Sequence, residues 1–188
     1  TKDVQTAVNF AREKKLVLAV KGGGHDYAGN SICDNGLVID LSPMNNIKVN
    51  PSSQTVTIEG GATIGQLDEE TQKHGLAIPT GTVSTIGIGG LTLGGGTGYL
   101  SRKFGLTLDS LISVEIVTAD GNVQTANDTE NKDLFWAVRG GGGNFGIVTS
   151  FKFRLHKVGP EVLSFQAYFP FIESQLVLEY YRPSHCRT

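Results

Sequence analysis

Lys21, Gly22, Gly23, Gly24, His25, Asp26, Tyr27, Ala28 and Gly29 follow the apolar run of residues 16–20 and carry one of the four histidines in a chain of 188 residues. Three consecutive glycines are poor material for a helix or a strand, because glycine loses the most backbone entropy on ordering and has no side chain to pack. The segment therefore reads as an ordered loop with a special backbone demand. Its place at the C-terminal end of a strand is where α/β folds often bind ligands. An anionic ligand resting on bare backbone, with the imidazole beside it, is the expectation that organises the rest of the reading.

The chain has 25 glycines, clustered at 22–24, 60–61, 87–98 and 140–143. The stretches between the clusters carry regular apolar periodicity, which flexible linkers lack. Its length suits one domain or two small lobes with a real core. With 16 basic and 18 acidic residues the net charge is −2, and the basic residues are dispersed, which favours neither nucleic acid nor an anionic membrane as partner. No apolar run approaches the roughly 20 residues of a membrane span. Any phosphate must therefore be held mainly by backbone amides. Cys33 and Cys186 have no CxxC spacing, so no metal site is expected and the redox compartment is left open. The N-terminal residues show no signal-peptide pattern and no Met, so further residues are expected upstream.

Val4, Ala7, Val8 and Ala11 lie at helical spacing and predict a helix over 3–15, closed by Lys14 and Lys15. Residues 16–20 predict a short buried strand and 37–41 a second. Residues 54–59 alternate as a half-exposed strand ending at Gly60 and Gly61, and the turn after Pro43 is rich in Asn. Thr63 and Gln66 form a capping box for a helix reaching His74, with Gly75 as a left-handed cap. Residues 99–104 predict a helical turn closed by Gly105. Ile112, Val114 and Ile116 predict a strand that returns through Asp120-Gly121 and Val123 as an antiparallel pair. Residues 133–139 predict a short buried helix and 147–155 an alternating strand. Past Pro160 the pattern weakens: 162–169 reads as a strand, 173–181 as a helix, and 182–186 as no finished element.

Gly141, Gly143 and Gly146 match the GxGxxG spacing of dinucleotide-binding proteins, but that fingerprint must follow a strand and open a helix. Here a helix precedes it and a strand follows, so it reads as a helix-to-strand turn. No Walker A segment, GxSxG elbow or HExxH helix is present. What remains is two glycine loops, 22–24 and 87–98, flanking different strands. Successive backbone amides in such loops form concave anion sites without needing lysine.

These residues resemble a known family. Residues 21–29 look like the (Arg/Lys)-x-Gly-Gly-His loop, and 81–105 like the second flavin loop, of the FAD-linked oxidoreductases similar to berberine bridge enzyme, within the vanillyl-alcohol oxidase superfamily. Residues 133–149 resemble a third hallmark, and the order of the three, from about Thr1 to Val158, is the expected one. The resemblance implies an α+β fold, a PCMH-type FAD-binding domain of two α/β lobes. A small βαβ-like lobe would occupy 1–50, with its first strand upstream of Thr1, and a larger, mainly antiparallel sheet with flanking helices would occupy 51–158. Residues 159–188 would begin a substrate domain truncated here.

The implied cofactor is FAD, its pyrophosphate on the backbones of residues 22–24 and 87–90. The implied cofactor-binding residues are Gly22, Gly23, Gly24, His25, Asp26 and Tyr27 in the first loop; Gly81, Thr82, Val83, Ile86, Gly87, Gly89, Gly90, Leu91, Gly94, Gly95, Gly98 and Tyr99 in the second; and Gly146, Ile147 and Val148 in the third. The resemblance makes His25 the site of a covalent bond to the flavin 8α carbon, chemistry open to an imidazole nitrogen near neutral pH. Val83 stands where doubly linked members carry cysteine, so one link at most is implied. Leu91 stands where many relatives have histidine, and Ile86 where a valine or leucine helps govern oxygen access. The implied activity is hydride removal from an alcohol or sugar carbon of a small-molecule substrate, with no catalytic base among these residues. The rival expectation is a truncated flavin-binding fragment without turnover.

Overall fold

The computed structural model describes residues 1–185, with side chains to Arg182. Helix α1 (Lys2–Lys14) forms where expected, burying Val4, Val8 and Ala11 on one stripe, and Lys15 closes it in the left-handed conformation with φ 53°. Strands β1 (Leu18–Lys21) and β2 (Leu37–Asp40) pair in parallel with Leu18 opposite Leu37 and Lys21 opposite Asp40. β1 starts two residues later than the apolar run suggests and is less buried, since Val17 is 63% exposed.

The larger sheet has five strands in the order β3 (Ile47–Asn50), β4 (Thr55–Glu59), β8 (Ile147–Arg154), β6 (Leu111–Val117) and β7 (Val123–Asn127), antiparallel throughout. β3 is absent from the sequence reading, which leaves residues 44–50 as a turn. Only four residues long and flanked by Asn and Pro, it gains its order from the ladder with β4, and it carries residues 47–50 into this sheet and away from the small one. The β6–β7 turn is held by Thr118 N–H donating to the Asn122 carbonyl at 3.0 Å, with Gly121 at φ 82°.

Helix α2 (Ile64–Gln72) has the expected capping box: the Gln66 amide donates to Thr63 Oγ1, and the Thr63 amide donates to Gln66 Oε1 at 2.9 Å. It stops two residues before His74, which lies in the following turn, and Gly75 takes φ 63°. Strand β5 (Leu76–Ala77) pairs with β9 (His156–Lys157). The glycine-dense stretch 87–98 is not all loop: α3 (Ile88–Leu93) forms within it because Ile88, Thr92 and Leu93 bury on the core. α4 (Ser101–Phe104), closed by Gly105, and α5 (Lys132–Val138) match expectation, and a 3-10 turn at Gly142–Phe145 joins α5 to β8.

Two apolar clusters hold the chain together. The larger joins one face of β4, β6 and β8, through Val56, Ile58, Val114, Ile116, Phe151 and Phe153, to α2, α3 and α5, with Phe135, Phe151 and Phe153 almost wholly buried. Each such side chain contributes about 1.5–3 kcal/mol relative to exposure. The smaller joins Val4 and Val8 of α1, Ile39 and Leu41 around β2, and Val117 and Ile147 of the large sheet, so α1 and the parallel pair are seated on the ends of β6 and β8.

Residues 162–169 form no strand. No neighbouring strand offers them a ladder, and Leu163 and Phe165 are 100% and 87% exposed. The helix expected over 173–181 is α6 (Ser174–His185), which runs on through residues read as unfinished; Cys186 lies outside the described residues. Among the described residues no helix is long and apolar enough to cross a membrane.

Candidate functional site

The site begins where β1 runs out. Gly22 lies against the carbonyl oxygen of Gly60, the residue after β4, at 3.5 Å from where a Cβ would stand. One residue on, Gly23 meets Gly87 backbone to backbone: a Cβ at Gly23 would overlap the Gly87 amide, and a Cβ at Gly87 would overlap the Gly23 amide. Glycine is the residue that permits this approach. Gly24 then turns the chain in the left-handed region at φ 72°, so that His25 Nε2 sits 3.0 Å from Thr85 Oγ1. The parallel pair, the β4 terminus and the start of α3 are thus knitted at one place by backbone alone.

Gly60 is the hinge of this junction. Its amide donates to the Thr149 carbonyl at 3.0 Å, and its own carbonyl lies 3.0 Å from a Cβ placed on Gly89. Neither Gly60 nor Thr85 is among the expected site residues. The Gly60-Gly61 pair carries a signal in the sequence, but it reads equally as a strand terminator; Thr85 carries none.

Among the described residues, the amides of Gly23, Gly24 and His25 and those of residues 82–85 have no acceptor within the protein. Successive amides left without a protein acceptor favour an anion. Gly90 is exposed and has open space where a side chain would begin. These features fit a pyrophosphate-bearing cofactor resting on backbone, in a chain whose 16 basic residues are dispersed and whose net charge is −2.

The other expected residues divide between these loops and the surrounding packing. Asp26 accepts from the Asn30 amide at 2.6 Å and so closes a local turn, while Tyr27 is wholly exposed. Thr82 and Val83 are exposed beside the first loop's partner segment, Gly81 packs on Ile64 and Leu91, and Ile86 is half-buried with its carbonyl accepting from the Ile64 amide at 2.9 Å. Leu91 packs against the larger cluster. Gly94, Gly95, Gly98 and Tyr99 lie past α3: the Gly95 carbonyl accepts from Leu108, Gly98 abuts the Thr80 carbonyl, and Tyr99 is 86% exposed. Gly146, at φ 143°, abuts the Val117 carbonyl. Ile147 and Val148 are buried in the two clusters, so only their backbones are available to a ligand.

Charge around the first loop is local. Lys21 Nζ lies 2.9 Å from Asp40 Oδ2, closing the open end of the β1–β2 pair. The Ser42 hydroxyl and amide, and then Lys21, hold the Asp40 carboxyl well below the usual carboxylate range. Away from the loops, His156 stacks on Phe104 at 4.2 Å between ring centroids and lies 3.1 Å from the buried Ser110 hydroxyl. Burial, and then the charge of Arg154, push its imidazole below the usual histidine value. A cleft of about 400 Å³ lies between residues 51–54, 74–76 and 157–159, lined by His74 and Lys157 among others, and shares no residue with the glycine loops.

The fold is that of an FAD-binding domain. The family described as FAD binding domain matches residues 1–127, and the chain belongs to it. A FAD-linked oxidoreductase of Dictyostelium discoideum is 53% identical over 156 residues, covering 83% of this chain and 34% of that protein. The solved structure of 6-hydroxy-D-nicotine oxidase from Arthrobacter nicotinovorans superposes with a TM-score of 0.82 at 40% identity, covering 83% of this chain and 34% of the other. That of xylooligosaccharide oxidase from Myceliophthora thermophila, in complex with xylobiose, gives 0.78 at 39%, covering 82% and 33%. The chain thus spans about a third of the length of these relatives. The family and the FAD-binding fold inferred from the three motifs are those found.

Proposed function

We propose that the chain is the FAD-binding part of an oxidoreductase that removes a hydride from an alcohol or sugar carbon, with FAD held covalently through His25. The observation that carries this is the Gly23–Gly87 junction, which brings unpaired amides, the open Gly90 backbone and the His25 imidazole to one place. Bound there, FAD supplies the hydride acceptor. The chain's own residues bind and orient it: residues 22–24 and 87–90 receive the pyrophosphate on backbone, and His25 fixes the dimethylbenzene end. Xylooligosaccharide oxidase, similar across this region, supports a sugar-type donor.

Val83 leaves no thiol at its position for a second bond, so the tether is single. Residues 1–50 and 51–158 make the two lobes that flank the cofactor, with 47–50 crossing to pair with β4, and the substrate-contacting residues belong to a domain that residues 159–188 begin.

The test is acid denaturation of the purified protein. Yellow colour stays with the precipitate of the wild type and leaves with the supernatant after His25→Ala; wild-type protein that releases all its flavin overturns the tether. Anaerobic bleaching of the flavin band by an oligosaccharide or a simple alcohol tests the donor class, and a flavin left oxidised by every such donor overturns it.

A further inference from the structure

We infer that Thr85 is a positioning residue for attachment of the flavin: its hydroxyl accepts the Nε2–H of His25 and thereby leaves Nδ1 as the nucleophilic nitrogen. The inference rests on the reading of His25 as the tether.

His25 is exposed, on a loop that begins with three glycines, and among the described residues its ring has one side-chain partner, Thr85 Oγ1 at 3.0 Å from Nε2. Around it the backbone is fixed. Gly23 and Gly87 interlock, and the Thr85 carbonyl itself stands 3.0 Å from a Cβ position on Gly23. The two side chains therefore project from segments that cannot slide past each other. A neutral imidazole has one N–H and one lone pair, and the partner of one nitrogen decides which nitrogen is free to attack. A hydroxyl that accepts from Nε2–H selects the tautomer whose lone pair is on Nδ1. It also keeps the ring from rotating about χ2, which would otherwise spread the nucleophile over many directions.

The flavin 8-methyl group gives up a proton to solvent, and Nδ1 forms a bond to that carbon. The electron pair passes into the ring system, so the flavin becomes reduced by two electrons. The imidazolium formed loses its Nε2 proton to solvent past the Thr85 hydroxyl, and dioxygen takes the two electrons with two protons from solvent, leaving as hydrogen peroxide and restoring oxidised flavin. Thr85 is neither consumed nor charged.

The experiment follows covalent incorporation in the protein expressed in its full reading frame without flavin and then mixed with FAD in air. The fraction of flavin that survives acid precipitation is measured against time for the wild type, Thr85→Val, Thr85→Ser and His25→Ala, with non-covalent FAD binding measured separately by flavin fluorescence. Losing one hydrogen bond of ordinary strength is expected to slow Thr85→Val about tenfold. FAD affinity should stay unchanged, and Thr85→Ser should run near the wild-type rate. Mapping the flavin peptide is expected to find the bond at Nδ1. Equal rates for wild type and Thr85→Val, or a bond at Nε2, overturn the role of Thr85 while leaving the tether intact. A wild type that never retains flavin in acid removes the tether and this inference together.

Discussion

Two glycines of the same junction have opposite surroundings, which makes their substitution a sharp probe. A methyl group at Gly23 or Gly87 would enter the backbone of the other loop. Overpacking of this kind costs about 1–3 kcal/mol, and the structure can relieve it only by separating the two loops. Gly23→Ala and Gly87→Ala are therefore expected to lower the urea midpoint and to weaken FAD binding together. At Gly90 a methyl group meets nothing within 4 Å, and alanine is the better helix former by about 1 kcal/mol. Gly90→Ala should keep or raise stability while weakening FAD, because the space it fills is where the cofactor is proposed to lie. Urea titration and FAD fluorescence quenching on the same three proteins separate the effects. Lys21 and Asp40, by contrast, are 40% and 46% exposed, and an exposed ion pair is screened by solvent and contributes little; Asp40→Asn should therefore change stability little.

At the scale of the element, β9 carries a pH-sensitive contact. His156 is stacked on Phe104, and its pKa is lowered by burial and then by Arg154. A histidine whose folded pKa lies below its unfolded value binds its proton more readily when unfolded. Its neutral form therefore supports the fold above the unfolded value near 6.5, and that support is lost as pH falls. The urea midpoint is expected to fall between about pH 7 and pH 5, with the His156→Gln protein lacking part of that fall. A profile unchanged by the substitution would locate the acid sensitivity elsewhere. α2 offers a control at constant pH: Thr63→Ala removes the capping hydroxyl and should cost about 1 kcal/mol, with no change in the slope against pH.

Over the whole molecule, the packed core ends at Leu155 and the last strand pairing at β9. From Val162 to Tyr181 nearly all the apolar side chains are exposed, with Leu163 at 100% and Ile172 at 92% and Val177 half-buried. A patch of that kind marks a surface meant to be covered. Limited chymotrypsin digestion is expected to cut first near Leu163, Phe165 or Tyr168 and to leave the body through β9 intact, as read by mass spectrometry. First cuts within residues 81–100 would show that the glycine loops are the less ordered part.

Local signals in the chain determined most of the elements: α1 from Val4, Val8 and Ala11, α2 from its capping box, β6 and β8 from alternation, β7 from the Asp120-Gly121 turn, and the family from three motifs in order. Those features are local, written in side-chain spacing within one segment. What lay beyond local reading was decided by partners distant in sequence. β3 exists because β4 pairs with it, α3 forms in a glycine-rich stretch because Ile88 and Leu93 find the core, and residues 162–169 stay unpaired because no strand lies beside them. The site divides the same way. Gly22, Gly23, Gly24 and His25 could be read as a ligand loop from composition and position, but the interlocking of Gly23 with Gly87, the hinge at Gly60 and the reach of Thr85 to His25 are contacts across tens of residues. Glycine has no side chain to announce what it approaches, so only the folded backbone could show which glycines face each other and which face open space.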